Sequence, residues 1–151
     1  MIRVQQDAFD ASAELKAFTR GSKAGGTVMF LGTVRDLNDG KPVSAMTLEH
    51  YQGMTEKALA EIDDEAQKRW PLEKTLIIHR YGRLMPGDDI VLVLTASAHR
   101  EAAFESCAFL IDWLKTKAPF WKLEESGKQT QWVEAKVSDD EAAARWSRKT
   151  K

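Results

Sequence analysis

The stretch that decides the fold reads DIVLVLTASAHREAAFESCAFLIDWLKT and spans residues 89–116. Its first part predicts a strand over residues 89–96, and its second part predicts the strongest helix of the chain over residues 98–116. Ser97 is a suitable N-cap for this helix. The proline that follows disfavours helical backbone in the residue before it, so the helix should end near Lys117. The predicted apolar face of the helix consists of Phe104, Cys107, Ala108, Ile111 and Leu114.

Outward from this stretch, the chain alternates between helices and pairs of strands. A Gly inside the strand at 26–35, Gly32, predicts a bulge or a close backbone approach. Asp10 or Ser12 can cap the first helix, which Gly21 ends. The other predicted strands are 2–6, 43–51, 74–81 and two within 120–136 around a Ser126-Gly127 turn, and the other helices are 55–70 and 139–146. This order predicts an α+β fold with a mostly antiparallel sheet and packed helices.

The bulk composition describes one soluble domain. The 151 residues predict a single domain over 1–148, with 149–151 as a frayed tail. The net charge of -1 argues against a general nucleic-acid or membrane-surface role. The N-terminus lacks the pattern of a signal peptide, and no apolar run is long enough to span a membrane, so we expect a cytoplasmic protein.

Several kinds of chemistry lack their usual motifs. The single cysteine, Cys107, excludes an intramolecular disulfide, and its apolar neighbours favour a buried small hydrophobe over a catalytic thiol. Of the three histidines, His50 and His79 lie in predicted strands and are interpreted as structural. No zinc-like spacing, nucleophile elbow, P-loop or dinucleotide fingerprint is present.

Three basic positions are candidates for an anion site. Arg35 ends an apolar strand next to a loop, where either a binding role or a solvated arginine fits. His99 and Arg100 begin the long helix, where free backbone N–H groups and the helix dipole favour an anion. The alternative is that both side chains point to solvent.

The third position is the turn between Lys115 and Lys122. Lys115 suits the last turn of a helix for dipole reasons alone, which is a purely structural explanation. A lysine partly desolvated against Phe120 and Trp121 would have a lowered pKa and could act as a general acid or base. Together these positions predict a cationic pocket for a phosphorylated small molecule, with lysine as the reactive group.

An ordered set of strings resembles the molybdopterin synthase catalytic (large) subunit family. The strings are FLGTVR at 30–35, LEHY at 48–51, HRYG at 79–82, PGD at 86–88, SAHR at 97–100, LKTKAPFWK at 114–122 and WVEA at 132–135. They run in order over about residues 3–146, and the segment Lys-x-x-Ala-Pro-Phe-Trp-Lys is the most specific. The resemblance implies an α/β hammerhead-type fold.

The resemblance also implies a function and partners. A homodimer of this chain would bind a small ubiquitin-like sulfur carrier at each end, giving a heterotetramer. The carrier's C-terminal Gly-Gly thiocarboxylate would deliver sulfur twice to cyclic pyranopterin monophosphate and form the molybdopterin dithiolene of the molybdenum cofactor. The family pattern requires neither a metal nor another cofactor in this step.

Site residues carry over from the family pattern position by position. Lys115 and Lys122 match the two essential lysines, to which we assign proton transfer and stabilisation of negative charge. The resemblance implies substrate contacts for the segment at Thr33, Val34 and Arg35, a phosphate site at His99 and Arg100, and pocket-lining roles for Leu123 and Glu124. Lys136 falls where the family often has an arginine that reaches into the neighbouring subunit's pocket, and lysine keeps the charge without the bidentate fork.

Two other functions use the same residues. An anion-binding regulatory module would need Arg35, His99 and Arg100 but neither lysine. An adaptor for a ubiquitin-like protein would use the aromatic turn as a groove and have no affinity for a pterin.

Overall fold

Two four-stranded sheets and four helices make up the described part of the chain. The computed structural model describes residues 1–38, 40–42, 44–126, 129–133 and 137–147, without the side chains of 37, 38, 41, 126, 129–133, 137 and 138. The strands are β1 Ile2–Gln5, β2 Gly26–Thr33, β3 Leu37–Asn38, β4 Lys41–Pro42, β5 Ala45–His50, β6 Leu72–Arg80, β7 Gly82–Leu84, β8 Asp89–Ser97, β9 Phe120–Ser126 and β10 Gln129–Val133. The helices are α1 Ala11–Thr19, α2 Met54–Arg69, α3 Arg100–Lys117 and α4 Val137–Ala144.

The predicted α+β class is confirmed. The first sheet has the order β1-β6-β8-β2 and the second β10-β9-β5-β7, while β3 and β4 form a separate hairpin. Among the described strands, only β1 and β6 pair in parallel. The hairpin lies between the predicted strands at 26–35 and 43–51, and β7 is a further strand that was not predicted. Both are too short for a periodic sequence signal.

Helix α3 covers the first sheet and forms most of the core with it. Its buried residues are Ala103, Ser106, Cys107, Phe109, Leu110, Ile111 and Leu114. The sequence placed Phe104 on the apolar face of this helix, and that prediction was wrong, because Phe104 is 60% exposed. Phe104 lies at the edge of the apolar stripe, beside the edge strand β2, where no element of the described chain packs over it.

The start of α3 also differs from the sequence prediction. The N-cap is His99 rather than Ser97, and the helix begins at Arg100. Ser97 is instead the last residue of β8, and its hydroxyl donates to the carbonyl of Pro71 at 2.8 Å. The predicted end near Lys117 is confirmed.

The bulge predicted at Gly32 is confirmed. The β2–β8 register shifts between Gly32 and Thr33. A Cβ atom on Gly32 would lie 2.6 Å from Cγ1 of Val91 on the neighbouring strand. Because the valine side chain is stiff at χ1, only glycine allows the two strands to approach this closely. The bulge ends β2 and turns the chain toward Arg35.

The N-cap of the first helix can be tested by comparing substitutions at the two residues that the sequence offered as caps. The carboxylate of Asp10 accepts from the backbone N–H of Ala13 at 3.1 Å, so Asp10 and not Ser12 is the N-cap of α1. We expect Asp10→Ala to lower the free energy of unfolding by about 1 kcal/mol, because the first turn loses its acceptor. Ser12→Ala, on the exposed side of the same turn, should change it by less than about 0.5 kcal/mol. Urea denaturation followed by circular dichroism measures both, and equal losses would contradict the cap assignment.

Candidate functional site

The two candidate lysines lie on either side of the turn that joins α3 to β9. Lys115 is exposed in the last turn of α3, and the N–H of Ala118 closes the helix by donating to the carbonyl of Leu114 at 3.3 Å. The N–H of Phe120 then donates to the carbonyl of Ala118 at 2.9 Å, which tightens the chain around the proline. Lys122, also exposed, follows within β9. The turn therefore brings both lysines to the same end of the molecule.

The strand β9 places Lys122 over the first sheet. Lys122 pairs with Leu48 of β5 and with Val133 of β10. Side chains alternate along a strand, so Lys122 and Glu124 share a face with Phe120, whereas Leu123 points to the opposite face. Phe120 stacks on His79 of β6, so this shared face is the one directed at the first sheet. Leu123 and Glu124 are both half-buried.

His79 is the titratable group most changed by the fold. Burial lowers the pKa of His79 to about 4, with smaller contributions from electrostatic interactions with Lys122 and His50. Its Nδ1 lies 2.8 Å from the carbonyl oxygen of Arg80. Since a carbonyl only accepts, Nδ1 carries the proton of the neutral ring and Nε2 carries none. A buried, neutral ring fits the interpretation of His79 as a structural histidine. The sequence pattern did not reveal that this ring contacts the turn between the two lysines.

Arg35 lies at the same end as the lysines. The bulge ends β2 at Thr33, and Arg35 is exposed two residues later. Between them, Val34 is buried, its N–H donates to the carbonyl of Asp88 at 2.9 Å, and its carbonyl accepts from Gly87 at 2.8 Å. These bonds fix the direction in which the chain carries Arg35 away from the strand.

The register of the first sheet places these groups on a common row. His79 pairs with Val91, and Val91 pairs with Gly32 next to the bulge. Phe120 stacks on His79, and Lys122 follows Phe120 on the same face of β9, so Lys122 lies beside this row. Lys115 joins it because α3 runs in the same direction as β2: Arg100 lies beside Gly26 at the start of β2, and Cys107 lies beside Phe30 further along both elements.

His99 and Arg100 lie at the opposite end of α3. The start of the helix packs against the beginning of β2, where a Cβ on Gly26 would lie 3.4 Å from Cα of Arg100, and a Cβ on Gly25 would overlap the carbonyl of Ala98 at 2.1 Å. Both residues are exposed. Helix α3 separates them from Lys115 by about 23 Å, since Lys115 lies 15 residues after Arg100. One chain therefore does not bring the predicted phosphate-binding residues and the lysines together.

Between these two ends lies an exposed apolar strip formed by Met29, Phe30 and Phe104. Their side chains are 43%, 36% and 60% exposed. The strip borders a depression of 320 Å³ between β2 and α3, with Ala108 and Ile111 among its lining residues. Sequence periodicity placed Phe104 in the core, and only the packed helix shows that it faces outward.

Three further residues from the sequence analysis are Cys107, His50 and Lys136. Cys107 is buried as predicted, and burial raises the pKa of its thiol to about 11, so it stays protonated near neutral pH. His50 has a buried side chain whose Nδ1 lies 3.7 Å from Oε1 of Glu56. Lys136 lies outside the described residues, as do 149–151. Among the described residues no helix has the length and apolar composition to cross a membrane.

The fold and this site define an α+β protein with two lysines on either side of a proline turn and further cations at both ends of its longest helix. Residues 4–117 match the family model described as MoaE protein. The chain belongs to this family.

Named relatives agree with the family model over nearly the whole chain. The molybdopterin synthase catalytic subunit of Pseudomonas aeruginosa is 56% identical over 146 residues, covering 96% of this chain and 97% of the relative. The MoaE protein of Burkholderia ambifaria superposes with a TM-score of 0.83 at 51% identity, covering 98% of both chains. The molybdopterin synthase structure from Staphylococcus aureus has a TM-score of 0.81 at 31% identity, covering 87% of this chain and 96% of that one.

The lowered pKa of His79 predicts a pH-dependent stability. The unfolded chain takes up the proton near pH 6.5 and the folded chain only near pH 4, so falling pH stabilises the unfolded state across this interval. We expect this group alone to remove about 3 kcal/mol of stability between pH 6.5 and pH 4. His79→Phe should remove this part of the pH dependence, whereas His99→Gln, at an exposed position, should keep it. Urea denaturation across the interval measures it, and parallel curves for wild type and His79→Phe would refute the assignment.

Proposed function

We propose that this chain is the catalytic subunit of a molybdopterin synthase and acts as a sulfurtransferase. It would transfer sulfur from the C-terminal thiocarboxylate of a small ubiquitin-like subunit to cyclic pyranopterin monophosphate, forming the dithiolene of molybdopterin. The observation that carries the proposal is the pair of lysines around the turn at 118–120, in a chain 56% identical to a protein of that name.

Lys115 and Lys122 are the proposed catalytic residues. Both residues are exposed at the end of the molecule where β9 begins, next to the half-buried ring of Phe120 and the buried ring of His79. Positive charges held there stabilise the negative charge that develops as the thiocarboxylate sulfur adds to the substrate. A lysine in this position can also donate or accept the proton that each sulfur transfer requires. In this proposal Thr33, Val34, Arg35, Leu123 and Glu124 line the same pocket.

The sulfur is proposed to arrive on the partner and not on this chain. The thiolate is the reactive form of cysteine, and Cys107 is both buried and held protonated. A carrier with a flexible C-terminal Gly-Gly tail can supply the sulfur instead of Cys107, because its thiocarboxylate can enter a pocket that the folded carrier itself cannot.

A second copy of this chain is proposed to complete each site. His99 and Arg100 would hold the phosphate of the substrate, yet they lie about 23 Å along α3 from Lys115. A twofold axis through the apolar strip of Met29, Phe30 and Phe104 would reverse the direction of the partner's helix. It would thereby place the cations of one subunit beside the lysines of the other, and Lys136 would approach the same region. The dimer with two carriers is the proposed heterotetramer.

The catalytic role is tested by reconstitution with a matched lysine control. The assay mixes the protein with a thiocarboxylated small subunit and cyclic pyranopterin monophosphate and measures dithiolene-containing product. Lys115→Ala and Lys122→Ala should each lower the rate by at least about 100-fold, because the transition state loses its acid or its counter-charge. Lys117→Ala should keep the rate, since the Lys117 ammonium lies over the ring of Trp113 at 4.7 Å, on another side of the helix.

The two alternative functions predict different results, one in this rate assay combined with a binding measurement and the other in a calorimetric titration. Normal precursor binding with a wild-type rate in Lys115→Ala would favour an anion-binding module. Complex formation with the carrier but no heat on titrating the precursor would favour an adaptor.

The shared site predicts complementation between two inactive variants. Arg100→Ala and Lys122→Ala damage different halves of the proposed composite site, so a mixed dimer contains one intact site. After subunit exchange of an equal mixture, we expect about a quarter of the wild-type rate, since half of the dimers are mixed and each has one of two sites intact. Activity no greater than that of the separate variants would place both residues in a site within one chain. Phe104→Glu should prevent the recovery by weakening the dimer, which analytical ultracentrifugation would show directly.

A further inference from the structure

A row of aromatic ring contacts joins the two sheets at Phe120, the first residue of β9. The ring of Phe120 lies 3.9 Å from that of His79, centroid to centroid, with 19° between their planes. His50, the cross-strand neighbour of Phe120, lies 6.1 Å from it and 4.4 Å from Tyr81. Phe120 is therefore held between a ring from the first sheet and a ring from the second.

The orientation of the His79 ring is fixed from its own strand. The hydrogen bond from Nδ1 to the carbonyl of Arg80 at 2.8 Å allows one ring plane, and this plane is the one that lies against Phe120. Buried within β6, the ring stays neutral near neutral pH. A neutral ring can lie near the ammonium group of Lys122 without the repulsion that an imidazolium would cause.

Phe120 is the joint between the two catalytic lysines of the proposed function. On one side, Lys115 is placed by the buried face of α3. On the other side, Lys122 follows Phe120 by two positions on the same face of β9, so its place depends on where the strand begins. The turn at 118–120 is held by one backbone hydrogen bond at each end, and the stack of Phe120 on His79 adds a side-chain contact that ties the start of β9 to the first sheet.

We propose that His79 is a positioning residue for Lys122: its ring, stacked on Phe120, holds the start of β9 so that Lys115 and Lys122 keep the separation that the reaction needs. His79 acts through Phe120 and does not touch the substrate. The catalytic consequence rests on the proposed function, whereas the structural consequence does not. Misplacing a reacting group by about 1 Å is enough to lower a rate by about 100-fold.

The test compares an aromatic with an aliphatic replacement. His79→Phe keeps the stack, and His79→Leu removes the ring while keeping an apolar side chain of similar size. Ile77→Val is the matched control, because Ile77 is fully buried on the same face of β6, two residues earlier, and has no ring contact with Phe120. Each variant is assayed with the carrier and the precursor at a temperature where circular dichroism shows it to be folded.

We expect His79→Leu to lower kcat by about 10- to 100-fold with little change in KM, because substrate binding survives and the alignment of Lys122 does not. His79→Phe and Ile77→Val should stay within about 3-fold of wild type. A wild-type kcat in His79→Leu would overturn the proposal. So would a loss in His79→Phe as large as in His79→Leu, since the aromatic stack would then not be the cause.

Amide hydrogen exchange supplies a readout that needs no catalysis. His79→Leu should speed exchange at the β9 amides around Trp121 and Lys122, while His79→Phe and Ile77→Val should leave it unchanged. If wild type makes no product yet exchange changes as expected, the proposed function fails and the positioning device stands. If wild type is active and His79→Leu alters neither kcat nor exchange, the positioning device fails and the proposed function stands.

Discussion

The alignment of α3 along the edge strand β2 is the constraint on which the rest of the structure depends. Buried side chains from Ala103 to Leu114 hold the helix against β8 and β2 over most of its length. Close approach at Gly25 and Gly26 fixes the start of the helix, because any side chain at Gly25 would overlap the carbonyl of Ala98. The direction of the helix then decides which cations lie at which end of the molecule. His99 and Arg100 are placed at one end, and Lys115 is placed at the other.

The removal of His79 from water determines how the end of the molecule that carries Lys115 and Lys122 is built. The ring of His79 is buried between strands, and the low polarity of this position keeps the ring neutral. Phe120 can therefore stack on an uncharged ring, and Lys122 can emerge next to it. A charged residue in place of His79 would have to leave the interior or find a partner there, and either change would shift the start of β9.

The exposed strip of Met29, Phe30 and Phe104 connects the fold to the proposed assembly. Apolar side chains grouped on an edge strand and the adjacent helix leave surface that a second subunit can bury. The proposed twofold contact uses this strip and also joins the two sets of cations that one chain keeps apart. The same surface would then stabilise the dimer and complete the site, so loss of the dimer and loss of activity should occur together.

Local sequence determined the elements, and tertiary packing decided how they are used. The apolar periodicity of residues 98–116 and the proline at 119 act within one or two turns of chain, so the helix and its end could be predicted. For the first cap the sequence left Asp10 and Ser12 as alternatives, and the structure decided for Asp10. The ordered set of strings, with the lysine motif at 115–122 as its most specific member, was also readable from the sequence and gave the family resemblance. The outward direction of Phe104 and the stack of His79 on Phe120 were decided only by packing. Each depends on contacts between residues far apart in the chain, and a periodic pattern contains no information about which distant surface will cover a side chain.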